Sequence, residues 1–478
     1  MLQLILFYIL FLFLTLLLYY TLPEKYRISI LLFSSICFLA VLSVSATVFA
    51  IFFIILNYYF GILLDKNLNN QGLKNKIFWT IILLNISLLC FYKFFNSIST
   101  IFLSKNTIVP QYNFTSTFLW VIPIGLSYYT FQALGYIIRI NRRSEKAMYS
   151  IERFSLYLIF FPKLISGPVE RSNHFFPQLN QLPNFNKEIV AQGLRLFLLG
   201  LFKKIVIADQ LHAPILAVYN NVQSFNGFSL IIVFLFQTIF IYADFSGYTD
   251  MALGSAKMFG IELKDNFNRP FLAKTVSDYW KRWHISLSSW CNDFIYNPFI
   301  VKYRKHGNKA VIAGLFITFV IMGLWHGSNI NYVILGILQG IAIVYETYTK
   351  NFRIKIASKY NIIFINTISR IFVFVFMSFS MIFFFSNSFS DSIYFITHLF
   401  SNSKLNQYAV LNMNTNLLLA IFFFSILFIF QTLIEKGFDL LSFFLKQPFI
   451  IRLSFYLVIF LIIYCFKPGI SSFYYSRF

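Results

Sequence analysis

Charge is what this sequence has least of, and negative charge above all. Of 478 residues, 17 are Asp or Glu against 39 Lys or Arg, and charged residues make up 12%. An ordinary soluble domain carries about 25%, so a soluble globular chain is a poor reading. Cysteine is scarce as well. Cys37, Cys90, Cys291 and Cys465 form no C-x-x-C pair, and all sit in or beside apolar stretches. This argues against a disulfide framework or a zinc site and for buried small hydrophobes. No H-E-x-x-H, P-loop, strand-borne G-x-G-x-x-G or G-x-S-x-G elbow occurs. Zinc hydrolysis, nucleotide-fold chemistry and serine-type hydrolysis therefore have no motif to rest on, and no metal or bound cofactor is expected.

What is present is apolar. Hydrophobic residues make up 58% of the chain, with 64 phenylalanines; the Phe, Ile, Asn and Lys content fits an AT-rich genome and says little about chemistry. Apolar runs lie near 3–20, 28–46, 47–64, 77–95, 119–138, 189–207, 228–246, 311–326, 330–348, 364–387, 414–434 and 449–466. Many approach the roughly 20 residues that cross a bilayer core. The expectation is an all-α, polytopic integral membrane protein with about 11–12 transmembrane helices plus re-entrant and interfacial helices. Met1 to Tyr20 lacks a basic leading region and a small-residue cleavage site, and reads as a retained membrane helix. One membrane-embedded domain over 1–478 is expected, with N-terminal helices in 1–150, a core in 151–350 and C-terminal helices with an aromatic tail in 351–478.

The net charge of +22 is not a nucleic-acid signal, because the basic residues lie in loops between apolar runs. Such charge stays on the cytoplasmic side, facing anionic lipid. The loops Glu24 to Arg27, Asp65 to Lys76 and Arg139 to Lys146 are basic, and those between them nearly uncharged. The N-terminus is therefore expected outside a bacterial cytoplasmic (inner) membrane, and Ser471 to Phe478 on the outer side too.

Two stretches are neither clean spans nor ordinary loops. Glu152 to Gln178 holds Pro162, Gly167, Pro168 and Pro177, which break a helix and predict a re-entrant or surface-lying element. From Ser277, Trp280, His284, Leu287 and Cys291 fall at helical spacing, with Lys281 and Arg282 beside them. That pattern predicts one helix lying at the cytoplasmic interface.

Few residues could do chemistry. Of six histidines, His326 stands in Gly323-Leu324-Trp325-His326-Gly327 between two apolar runs. An ionisable residue at membrane depth marks a functional site by default, and a neutral imidazole is the form a general base needs; the plain alternative is a His bonded to a neighbouring helix. His284, in Trp283-His284-Ile285-Ser286, reads equally as a site residue or as an interfacial His facing head groups. His174, His212, His306 and His398 carry no assigned role. Asp244 and Asp250 close an apolar run six residues apart. Capping, or pairing with Arg269 or Lys257, is a fuller account of them than catalysis.

Several motifs together resemble one family. They are Glu24-Lys25-Tyr26-Arg27, Asn57-Tyr58-Tyr59-Phe60-Gly61, Pro123 to Gln132, Phe161 to Pro168, Asp244-Phe245-Ser246-Gly247-Tyr248, Asn266 to Pro270, Trp283 to Ser288 and Leu324-Trp325-His326-Gly327. In this order they resemble the membrane-bound O-acyltransferases, in the bacterial branch that O-acetylates alginate and peptidoglycan. The resemblance implies that His326 is the essential catalytic histidine and His284 the second important one. It implies a funnel from the cytoplasm to the outer side, lined or supported by residues such as Trp325, Asp244, Ser246, Tyr248, Trp283, Gly167 and Pro168. The tail Ser472-Phe473-Tyr474-Tyr475-Ser476-Arg477-Phe478 resembles an aromatic motif of that branch whose tyrosine carries the acyl group. The matching residue is Tyr475; Tyr474 and Ser476 depart from the motif, so Tyr474 stays an alternative carrier, and an interfacial aromatic belt is the plain one.

The implied function is transfer of an acetyl group from a cytoplasmic thioester, acetyl-CoA or another acyl thioester, towards O-acetylation of an envelope polysaccharide. Peptidoglycan, or an alginate-like exopolysaccharide, would be reached through a periplasmic SGNH-type transferase partner. D-alanyl transfer to teichoic acid, acylation of a lipid or protein, and a polytopic transporter are the alternatives.

Overall fold

The computed structural model describes residues 2–103, 123–402 and 415–466. These are overwhelmingly helical; among the described residues the only β-pairing is an isolated bridge between Phe267 and Trp283. The physical cause is the solvent. In hydrocarbon a segment must satisfy its own backbone hydrogen bonds, and a single apolar run does so only as a helix.

Among the described residues, eight helices are long and apolar enough to cross a membrane: Glu24–Leu42, Val44–Lys66, Gln71–Phe94, Phe228–Met258, Asn308–His326, Ile330–Tyr348, Ile362–Phe385 and Asn416–Glu435. Ile5–Thr21 and Phe449–Cys465 are apolar but shorter. Large side chains such as Ile363 (73% exposed) and Ile450 (74%) point outward, as lipid permits and water does not. The chain is a multi-pass, all-α membrane protein. The run expected near 189–207 takes another form: an α-helix Lys187–Phe202 that widens into a π-helix at Lys203–Ala208.

The chain forms two compact units. The first consists of Phe7–Arg195 and Ala252–Lys264. It holds the proline-broken stretch, which forms a helix Ile151–Ile159, a 3-10 turn Phe161–Lys163 and a helix Ser172–Gln178. The break falls where the sequence predicts it, but the segment does not lie on a surface: Phe160, Phe161, Lys163 and Leu164 are all buried. Phe161 packs against Phe11, Phe38 and Phe259. Lys163 stays inside because its Nζ donates to Gln132 Oε1 and to the Tyr157 carbonyl. Gly167 is required there by close approach, since a Cβ would stand 2.4 Å from Lys163 Cα.

The second unit contains Leu196–Met251 and the described chain from Asp265 onward. Its central contact is the antiparallel pair Asn308–His326 and Ile330–Tyr348. Added Cβ atoms would stand 2.1 Å from the Tyr332 carbonyl oxygen at Gly323 and 2.4 Å from that of Phe319 at Gly336. Small residues of this kind let membrane helices touch backbone to backbone, and here they hold His326 at the end of its helix.

The same unit corrects one expectation. The stretch from Ser277 is not a single interfacial helix. Val276–Arg282 ends at Trp283, which is extended, and His284 adopts a left-handed conformation (φ 44, ψ 50) before Ile285–Cys291 begins. Trp283 leaves the helix to bridge Phe267, and Asn268 N donates to the Arg282 carbonyl. Helical spacing cannot reveal such a tertiary bridge.

Candidate active site

His326 is the last residue of Asn308–His326, and the chain leaves the helix through Gly327. Its ring lies 4.7 Å from that of Trp325 and 5.2 Å from that of Phe384, centroid to centroid. His284 is buried at 1% exposure. Its ring meets Phe245 edge-on at 4.8 Å and Trp325 at 6.3 Å. The head-group-facing reading of His284 therefore fails. Burial pushes its imidazole down to about 3, because a charged ring loses its hydration there.

Both histidines line one cavity of about 40 Å³, shared with Trp280, Trp283, Leu287, Phe319, Met322 and Gln339. One water needs roughly 10–15 Å³ on this scale, so the space takes a small group and not a long chain. Its walls are apolar and aromatic, with few polar atoms. Gln339 is the main one that sequence reading missed: its Oε1 accepts from Trp280 Nε1 at 3.0 Å and its Nε2 donates to Ser380 Oγ at 3.0 Å. A buried glutamine in the apolar run 330–348 was the available signal.

The remaining expected residues fall into three groups. Trp325 and Trp283 pack at the histidines; Trp283 also stacks on Tyr279 at 5.5 Å. Asp244, Ser246 and Tyr248 are buried on the Phe228–Met258 helix but are not among the residues that line the cavity. Gly167 and Pro168 belong to the first unit. Tyr475 and Tyr474 lie outside the described residues.

The aspartates have partners other than those expected. Lys204 Nζ lies 2.6 Å from Asp244 Oδ1 and 2.9 Å from Asp209 Oδ1, and Lys203 Nζ 2.6 Å from Asp250 Oδ2. Arg269 instead pairs with Glu435 and Lys257 with Glu262. Both lysines come from the π-helix, whose wide turn directs two successive side chains to acids on one helix. Two lysines inside an apolar run were the sequence signal.

The segment carrying His284 is anchored on several sides. Glu346 accepts from Ser277 N at 2.9 Å and Ser277 Oγ at 2.8 Å, and Glu435 accepts from Arg282 at 2.9 Å. Asn266 Oδ1 accepts from Ser286 N at 3.2 Å and Ser286 Oγ at 2.7 Å, and lies 3.1 Å from His284 Nδ1.

Comparison with known proteins adds the family. The family described as MBOAT, membrane-bound O-acyltransferase, matches residues 70–388. A probable alginate O-acetylase AlgI of Pseudomonas aeruginosa is 31% identical over 337 residues, 69% of this chain and 62% of that protein. A peptidoglycan O-acetyltransferase of Helicobacter pylori is 31% identical over 329 residues, 62% of this chain and 60% of that protein. A teichoic acid D-alanyltransferase of Bacillus subtilis is 26% identical over 243 residues, 48% of this chain and 61% of that protein. The matched part thus spans less than two thirds of each of these relatives.

Proposed function

Because this chain belongs to the membrane-bound O-acyltransferase family, we propose that it passes an acetyl group from a cytoplasmic thioester across the bacterial inner membrane for O-acetylation of an envelope polysaccharide. The observation that carries this reading is the small cavity shared by His326 and His284, which suits a two-carbon acyl group. Acetyl-CoA is the simplest donor. Its phosphates would be drawn to exposed Lys274, Lys281, Lys302, Arg304, Lys305 and Lys309. His326 acts as general base: it takes the proton of the attacking hydroxyl as the new C–O bond forms, and returns it to the thiolate as the C–S bond breaks. Such help contributes about 10² to 10⁴ in rate. The apolar walls keep water from the thioester.

Tyr475 is the proposed relay. A phenol has a pKa near 10, so its ester passes an acyl group to a sugar hydroxyl more readily than an alkyl ester does. A periplasmic SGNH-type transferase would complete the delivery, to peptidoglycan first and an alginate-like polymer second. The teichoic acid relative favours a second reading, D-alanyl transfer from a carrier protein.

The test is labelling of purified protein in detergent with radiolabelled acetyl-CoA. Wild type is expected to give a labelled band that is lost in His326→Ala and in Tyr475→Phe. Label that persists in His326→Ala rejects the base; label that persists in Tyr475→Phe rejects this tyrosine as carrier. A wild type labelled only through a D-alanyl carrier protein establishes the second reading.

A further inference from the structure

The three contacts on Asn266 Oδ1 decide more than local order. Ser286 N is a backbone N–H and can only donate, so the atom facing it must be the amide oxygen of Asn266 and not its nitrogen. That oxygen cannot donate to His284 Nδ1, which lies 3.1 Å away. Nδ1 must therefore carry the hydrogen. Ile285 N donates to the Asn266 backbone carbonyl at 3.0 Å, so the amide is tied to this turn twice. Asn266 Nδ2 is buried with no hydrogen-bond partner among the described residues. An orphaned buried donor costs about 1–3 kcal/mol, and the fold tolerates it to keep Oδ1 where it is.

We infer that Asn266 is a positioning residue that holds His284 as the Nδ1–H tautomer, making Nε2 the acceptor nitrogen of the site. The catalytic meaning of this inference rests on the acyl-transfer reading. An imidazolium would also donate from Nδ1, but burial strips its hydration and keeps the ring neutral. Arg282 is tied to Asp278 and Glu435, Asp265 is exposed, and His326 is the other titratable group on the same cavity. A neutral Nδ1–H ring offers no N–H at Nε2. His284 therefore does not steady the oxyanion of the thioester carbonyl. It accepts a hydrogen bond at Nε2, which leaves His326 to take the proton of the attacking hydroxyl and return it to the thiolate as the C–S bond breaks.

The tautomer is read directly by 15N NMR of protein with labelled histidine in detergent at neutral pH. Only six histidines contribute, and His284→Gln identifies the signals. A protonated Nδ1 and an unprotonated Nε2 are expected without any substrate present; a protonated Nε2 overturns the inference. Asn266→Ala should mix the tautomers and lower kcat at least about tenfold with KM little changed, below the ceiling of roughly 10⁴ that a wrong tautomer costs in a His–Asp pair. Asn266→Asp should keep Nδ1–H and move the acid limb of the kcat–pH profile upward, because a carboxylate favours the imidazolium. A purely structural Asn266 would move neither the spectrum nor the profile. The expected tautomer in a protein that transfers no acyl group sinks the function and spares this inference; a reversed tautomer in an active protein does the opposite.

Discussion

Two broken helices carry buried polar side chains, and they are broken for different reasons. At Phe160–Pro168 the interruption is covalent. Pro162 and Pro168 lack a backbone donor, and Gly167 leaves no room for a Cβ against Lys163. At Trp283–His284 there is neither proline nor glycine. The chain turns because Trp283 bridges Phe267 and Asn266 collects the N–H groups of the next turn. The first break would persist in any context. The second exists only while the Asn266–Arg269 segment is in place. It also leaves a non-glycine residue in left-handed space at His284 (φ 44), a conformation that clusters at functional sites.

The comparison can be broken most severely at Gly167. Gly167→Val sets a branched side chain against backbone only 2.4 Å away, so a loss of about 3 kcal/mol or more is expected. Thermal unfolding in detergent, or failure to accumulate in the membrane, reads it. A stable Gly167→Val protein would mean that the first break is not sterically held. At the second break, His284→Asn and His284→Val separate backbone from chemistry. Both should lose acyl transfer. Asparagine tolerates the left-handed region and valine does not, so the valine variant should be less stable by about 1–2 kcal/mol. Equal melting temperatures would show that the turn relaxes once the ring is gone.

The smallest effect concerns the buried lysine at the first break. Burial lowers Lys163 to about 7, well below the 10.4 usual for an unfolded lysine. Above about 7 the unfolded chain therefore binds more protons at this site than the folded one, and this contribution to stability rises with pH up to the unfolded value. Lys163→Met should flatten the change in melting temperature between about pH 7 and pH 9, the range in which the folded and unfolded chains differ in protonation at this site. An unchanged slope would mean that Lys163 is protonated throughout.

Much of the fold was legible because a bilayer allows few solutions. Apolar runs of spanning length become helices, and Phe161 to Pro168 announces its own break. His326 was legible as an ionisable residue between two apolar runs, and the matched family agrees with the resemblance read from the motifs. What escaped were partners. Asp244 and Asp250 found Lys204 and Lys203 some forty residues earlier on a π-helix, and not Arg269 or Lys257. Gln339 reached Trp280 across helices. Spacing along one strand of sequence encodes which residues share a face, and says nothing of which face meets it.

By itself, then, the sequence determined the solvent, the helical class, the proline break, the family and the two histidines worth watching. It could do so because hydropathy, ring closure at proline and motif order are local properties of the chain. Only the tertiary structure decided that His284 is buried beside Phe245 and Trp325, that it shares a small cavity with His326, and that Asn266 dictates which of its nitrogens holds the proton. Those are relations between segments up to about forty residues apart in this unit, as His284 and His326 are. The shared cavity is lined in part by the close crossing at Gly323 and Gly336, which brings backbones together only once both helices are packed.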